Sequence, residues 1–99
     1  MNRQTLCLLA HFKARPEKAA DLRALLLGLI PPTRMEPGCL RYELWENEED
    51  PTELTFVEEW ESGEALDRHF ETPHLQVALG RFPELLAEEL VLRRYRKAG

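Results

Sequence analysis

Long apolar runs are missing from this chain of 99 residues. The longest, Ala24–Ile30, spans seven residues and falls far short of the roughly 20 that cross a bilayer. Near the start, the apolar stretch 6–10 behind Arg3 is shorter than the core of a secretory signal. We therefore expect no membrane partner and a cytoplasmic location.

Glycine-rich motifs are missing, cysteines are few, and basic residues are outnumbered by acidic ones. The five glycines stand singly, so the P-loop and GxGxxG motifs of ATP-binding and NAD-binding proteins are missing. Only Cys7 and Cys39 are present, and we expect reduced thiols rather than a disulfide or a thiol nucleophile. The 13 basic residues are outnumbered by 18 acidic ones, giving a net charge of −5 that argues against nucleic acid.

What the chain does contain indicates one globular domain over 1–99. Apolar residues make up 43% and charged residues 31%, a balance that excludes disorder. The charge is unevenly placed: residues 43–67 hold eleven acidic side chains and no lysine or arginine, whereas 93–97 is basic. Each block is either a solvated face or half of a complementary contact between subunits.

Hydrophobic spacing predicts strands and helices in the order βαββαβ. The strands are expected over residues 5–13, 39–47, 53–61 and 89–95. One helix begins near Glu17, and Pro31 and Pro32 are expected to kink it or replace its last turns. Ser62 should cap a second helical region, which Thr72-Pro73 breaks and restarts and Pro83 interrupts.

This order is that of the ferredoxin-like fold, an α+β arrangement with a four-stranded antiparallel sheet and helices on one face. The final strand then lies at a sheet edge. The other sheet face carries too many apolar groups for a small monomer to expose, so we expect a homodimer.

Metal sites are not expected. His69 and His74 are five residues apart and straddle Pro73, so they should not share the one helical face that a zinc pair needs. Residues 48–50 lack the alternating oxygen ligands of a calcium loop. The prediction is that no metal binds.

Polar groups on otherwise apolar layers mark candidate site positions. His11 lies on the central strand, and Glu58 and Trp60 share a face of another strand. Tyr42 offers a hydroxyl on the neighbouring strand, and His69 falls near the end of a short helix. Each also fits a purely structural role: a satisfied core histidine, a buried anchor, a packing residue and a surface histidine.

Two segments, 36–44 and 58–66, followed by His69 and Thr72-Pro73-His74, resemble the antibiotic biosynthesis monooxygenase family. The resemblance implies a dimeric α+β barrel, a ligand pocket between sheet and helices, and oxygenation without metal, flavin or other cofactor. Trp60, Tyr42, His69 and His74 match the family's tryptophan, tyrosine and two helical histidines. Haem is not expected, because residues 75–82 lack the axial histidine of haem-degrading relatives.

The resulting hypothesis is a monooxygenase of quinol-like or anthrone-like aromatic substrates that uses molecular oxygen. Alternatives are a small-molecule isomerase of the same fold, a non-catalytic binding module, and a domain that only associates with itself or with a larger enzyme. The candidate catalytic residues are His11, His69 and Trp60, and the candidate substrate-binding residues are Tyr42, Phe56, Glu58 and His74.

Overall fold

The computed structural model describes residues 5–99 and confirms the α+β class. The strands are β1 (Leu6–Lys13), β2 (Cys39–Asn47), β3 (Asp50–Trp60) and β4 (Val91–Arg96). The helices are α1 (Ala19–Arg34), α2 (Gly63–Phe70) and α3 (Pro73–Leu85), with a 3-10 turn (Pro16–Lys18) before α1. No helix among residues 5–99 is long and apolar enough to span a membrane.

The four strands form one antiparallel sheet in the order β2-β3-β1-β4. The predicted ferredoxin-like arrangement is therefore confirmed, with β1 in the interior and β4 at an edge. The register places Glu58 between Leu8 on one neighbouring strand and Tyr42 on the other. Glu58 thus lies in the middle of the sheet rather than at a solvent-exposed edge.

One face of the sheet packs against the helices and forms the core. Alternation along β3 turns Leu54, Phe56, Glu58 and Trp60 inward, and none of them is more than 3% exposed. The helices complete the core with buried apolar side chains from α1 (Leu22, Leu26, Leu29), α2 (Ala65, Leu66) and α3 (Leu75, Ala78, Phe82, Leu85).

The opposite face has no covering layer within the described part of the chain. Its side chains include Cys7, Leu9 and His11 of β1, all of them partly exposed. Trp45 of β2 and Tyr95 of β4 are also on this face, with 56% and 47% of their surface exposed. The sheet therefore has a dry face and a half-apolar open face.

The prolines interrupt the helices less than expected. α1 continues through Pro31 and Pro32 to Arg34, and α3 continues through Pro83 to Leu85. The expectations that Pro31 and Pro32 replace the last turns of α1 and that Pro83 interrupts α3 are wrong, and the alternative of a kink in α1 stays a prediction. Each proline removes one amide donor to the carbonyl four residues earlier, and each helix ends within three residues of its last proline, so the disruption is confined to the C-terminal turn.

The bounds of several elements also differ from the expected ones by one to three residues. The β2–β3 turn is shorter than 48–52 because β3 already begins at Asp50. Side chains close it: Asn47 Oδ1 accepts from the Glu49 amide at 2.8 Å, and Asp50 Oδ1 accepts from the Thr52 amide at 3.0 Å. The last strand begins at Val91 rather than at residue 89.

Candidate functional site

An aromatic cluster on the dry face surrounds His69. The His69 ring lies 4.7 Å from the Trp60 ring and 5.5 Å from the Tyr42 ring, measured between centroids. Tyr42 stacks in turn on Phe56 at 4.3 Å. Four of the predicted site residues are thus brought together between β2, β3 and α2.

Helix caps place His69 in this cluster. Ser62 Oγ accepts from the Ala65 amide at 3.2 Å, which starts α2 as predicted. Thr72 Oγ1 donates to the His69 carbonyl at 2.8 Å and accepts from the Leu75 amide at 3.4 Å, so one side chain ends α2 and caps α3. His69 therefore occupies the last turn of α2, where it is only 2% exposed.

Glu58 is a buried carboxyl group in the same layer. Its Oε1 accepts a hydrogen bond from Trp60 Nε1 at 2.8 Å. Burial raises the pKa of Glu58 to about 7, against the opposing effect of the Trp60 bond and with some help from the negative charge of Glu36. A carboxyl group with such a pKa can exchange a proton near neutrality, a property beyond the substrate contact expected from sequence.

Glu36 is a further candidate site residue, which the sequence reasoning missed. A carboxylate can only accept, so both histidines donate to it: His69 Nδ1 at 2.9 Å and His74 Nε2 at 2.6 Å, both to Oε2. His69 Nδ1 also lies 3.1 Å from Oε1. Glu36 is the first residue of the segment 36–44 that resembles the family, but nothing in the sequence indicates that it contacts the two histidines.

The Pro37-Gly38 turn holds Glu36 against α2. Gly38 has φ of +88°, a conformation that favours glycine. A Cβ at this position would lie 2.5 Å from the Ala65 Cβ, so only glycine allows the turn to approach α2 this closely. The close approach brings the carboxylate within reach of both helices.

The two helical histidines converge, although the sequence reasoning expected them not to share a face. They reach Glu36 from different helices, α2 and α3, and their ring centroids are 6.2 Å apart. One possible metal-ligand atom from each of the three residues, a carboxylate oxygen or a ring nitrogen, lies within 4.8 Å of the other two. Ligands of one tetrahedral zinc would be separated by more than about 3 Å, so the 2.6 Å contact of His74 with Glu36 is that of a hydrogen bond.

The charge state of His69 follows from its surroundings. Burial lowers the pKa of His69, the Glu36 carboxylate opposes this effect, and the His74 charge adds to it. A neutral imidazole whose Nδ1–H is engaged by Glu36 carries its lone pair on Nε2. Nε2 is therefore the nitrogen able to accept a proton.

A narrow cavity adjoins His69, Glu58, Tyr42 and Phe56. Apolar side chains complete its wall: Leu8, Ala10, Phe12, Leu29, Phe70, Leu75, Leu79, Phe82, Leu90 and Leu92. At about 20 Å³ it holds about one water molecule, so an aromatic ligand must part the wall to enter. Leu79 and Leu92, which are 36% and 45% exposed, mark its mouth.

Three predicted residues lie outside this cavity wall. Trp60 and His74 contact His69 but do not line the cavity. His11 is on the open face of the sheet, where Nδ1 shares a hydrogen bond with Thr55 Oγ1 at 3.1 Å. Because neighbouring residues on a strand face opposite sides, β1 sends Ala10 and Phe12 to the cavity and His11 away from it.

The arrangement agrees with the comparison to known protein families. The family model described as "Antibiotic biosynthesis monooxygenase" matches residues 5–81. The chain belongs to this family. The resemblance noted from residues 36–74 is therefore confirmed.

Several relatives within the family are similar over most of this chain. Rv0793 of Mycobacterium tuberculosis, which carries the provisional name of monooxygenase, is 38% identical over 87 residues, or 88% of this chain and 85% of its own. Its solved structure superposes with a TM-score of 0.91 at 34% identity over 96% of each chain. PA3566 of Pseudomonas aeruginosa gives a TM-score of 0.89 at 31% identity, covering 100% of this chain and 98% of that one.

A cyanobacterial relative is longer. The uncharacterized protein sll1783 of Synechocystis is 35% identical over 88 residues, which is 89% of this chain. This chain spans 60% of that relative's length.

Proposed function

We propose that the protein is a cofactor-independent monooxygenase of electron-rich aromatic substrates of the quinol or anthrone type. The observation that carries this proposal is the Glu36–His69 pair beside a narrow cavity lined mainly by apolar and aromatic side chains. Such a pair can act as a general base, and an apolar cavity favours an uncharged aromatic ring as its ligand. The family assignment supports the same class of reaction.

The proposed reaction balances without a cofactor. His69 Nε2 removes a proton from an anthrone methylene, and the resulting enolate supplies the electrons that reduce oxygen. The carbon–oxygen bond forms to give a hydroperoxide, which loses water and leaves a carbonyl. One anthrone and one dioxygen therefore give one anthraquinone and one water, with one oxygen atom kept in the product.

Two further groups can stabilise the enolate oxygen. Burial raises the pKa of Tyr42 far above its usual range, so its hydroxyl remains protonated at all physiological pH values and can donate. Glu58 in its neutral form is a second donor on the same face. Phe56, stacked on Tyr42, provides an aromatic surface for the substrate ring.

The open face of the sheet supports the predicted homodimer. Trp45, Val91 and Tyr95 expose apolar surface there, and a second copy of the sheet would cover it. This arrangement would place His11 at the subunit interface rather than in the cavity. The basic end, 93–97, would then be close enough to contact acidic groups of the partner.

Oxygen uptake by metal-stripped protein tests the proposal, with a panel of reduced quinols and anthrones and correction for autoxidation. Uptake above background, with one ¹⁸O atom from ¹⁸O₂ in each product, is the expected result. The Trp60→Phe variant should reduce the rate, because the indole packs on His69 and holds Glu58. Trp45→Phe is the matched control, since Trp45 lies on the other face.

Other outcomes would favour the alternatives. Substrate consumed without oxygen uptake would indicate an isomerase. Ligand that is retained unchanged, and that raises the melting temperature, would indicate a binding module. Neither consumption nor stabilisation across the panel would contradict the proposed substrate class.

A further inference from the structure

The Glu36 carboxylate lies between two imidazoles of very different exposure. Side-chain exposure is 2% for His69, 10% for Glu36 and 25% for His74. The carboxylate is therefore buried on the His69 side and connected to solvent through His74. Nothing in the proposed chemistry yet requires His74, and this geometry gives it a place.

We propose that Glu36 is the positioning residue for His69 and that His74 adjusts how strongly Glu36 supports it. This inference rests on the proposed function, in which His69 is the base. Glu36 fixes the Nδ1–H tautomer, which leaves the Nε2 lone pair free, and its charge stabilises the imidazolium that forms after proton transfer. His74 shares the same Oε2 atom and competes for its charge.

The geometry supports both parts of the proposal. His69 Nδ1 lies within 3.1 Å of both carboxylate oxygens, so the ring is held in one orientation. His74 makes the shorter contact, 2.6 Å, to one of the same oxygens. A positive charge on His74 also opposes one on His69, because two like charges close to the same carboxylate disfavour each other.

Other titratable groups also face His69 and must be held constant. Tyr42 projects from β2 and Glu58 from β3, where the two residues are direct partners in the sheet register. Cys39 at the start of β2 lies within electrostatic range of Glu36, and burial raises its thiol pKa to about 11. Of these, only Glu58 changes charge near neutral pH, so the measurements belong in the Glu58→Gln background as well as in wild type.

The test is an NMR titration of the imidazole nitrogens, which needs no substrate. We expect the Nδ1–H tautomer for His69 in wild type. Glu36→Gln should lower the His69 pKa, because it removes the supporting negative charge. His74→Gln should raise it, because glutamine keeps a donor to Glu36 but carries no positive charge.

Kinetics supply the second readout. Glu36→Gln should lower kcat roughly 100-fold, the lower end of what a general base contributes, with KM changed less than about threefold. The pKa that governs the pH–rate profile should move in the same direction as the His69 pKa measured by NMR. It should fall in Glu36→Gln and rise in His74→Gln. Glu71→Gln is the matched control: it removes one exposed carboxylate at the end of α2, whereas the carboxylate that holds the His69 ring is Glu36.

Failure of this inference differs from failure of the proposed function. If wild type turns over no substrate, the proposed function fails, and the tautomer and opposite pKa shifts still decide the role of Glu36. Shifts of the same sign in Glu36→Gln and His74→Gln, or an Nε2–H tautomer in wild type, would overturn the inference. Should Glu36→Gln fail to fold, the His74→Gln shift and the wild-type tautomer decide it.

Discussion

Replacing Glu58 with glutamine should change how the stability of the protein depends on pH. In the folded chain the pKa of Glu58 is raised from its ordinary value of 4.5 to about 7, chiefly by burial. The folded state therefore binds more protons than the unfolded state between these two values. The contribution of Glu58 to the free energy of unfolding is therefore fully present below pH 4.5 and is lost as pH rises through 7.

The size of the effect follows from the same two values. A tenfold change in an ionisation constant corresponds to about 1.4 kcal/mol. The free energy of unfolding therefore falls by about 3 kcal/mol between pH 4.5 and pH values above 7. Glutamine keeps the shape and can still accept from Trp60 Nε1. The Glu58→Gln variant should therefore match wild type near pH 4 and exceed it by about 3 kcal/mol at pH 8 and above.

Urea unfolding at fixed protein concentration, from pH 4 to pH 9, measures this difference. The comparison between variant and wild type cancels contributions from His69, whose lowered pKa has the opposite effect on stability. Glu48→Gln, a change of an exposed carboxylate in the β2–β3 turn, is the control and should give a constant difference. If the free energies of unfolding of Glu58→Gln and wild type changed in parallel with pH, the reasoning that burial raises the pKa of Glu58 would be refuted.

Three further predictions concern the fold and its association. Gly38→Ala should lower the free energy of urea unfolding by at least about 2 kcal/mol, because the new Cβ would meet Ala65 and φ is positive at this position. The control is Gly28→Ala, which lies in open space on α1 and should be neutral or stabilising by up to about 1 kcal/mol. Trp60→Phe should raise the Glu58 pKa above that in wild type, seen as a later loss of stability with pH; an unchanged profile would show that the indole bond is unimportant. If 93–97 contacts acidic groups of a partner, the dimer measured by sedimentation equilibrium should weaken with salt, and a salt-independent Kd would exclude that contact.

The sequence predicts the fold well because the elements have strong local signals. Alternation in β1 and β3, the Ser62 and Thr72 caps, and the break between α2 and α3 were all visible in residue spacing. The errors lie at prolines and at element ends. Pro31, Pro32 and Pro83 look like helix breakers, but each removes a single amide donor, and the helix ends within a few residues of it.

The site is less predictable because it depends on contacts between distant segments. Glu36 reaches His69 and His74 across 33 and 38 residues, through a turn whose closeness depends on a single glycine. Spacing within one helix could not show this convergence. The face of His11 was visible, since it alternates with Ala10 and Phe12, but which face carries the cavity depends on how the helices pack.

In the proposed cofactor-independent oxygenation, His69 is the base and Glu36 supports it. The most direct test is oxygen uptake by metal-stripped wild type, His69→Gln and Arg68→Gln with the best substrate of the quinol and anthrone panel. Arg68 is the exposed neighbour of His69 on α2 and serves as the control. We expect a loss of roughly 100-fold or more for His69→Gln and little change for Arg68→Gln. Equal turnover by wild type and a folded His69→Gln variant would contradict it.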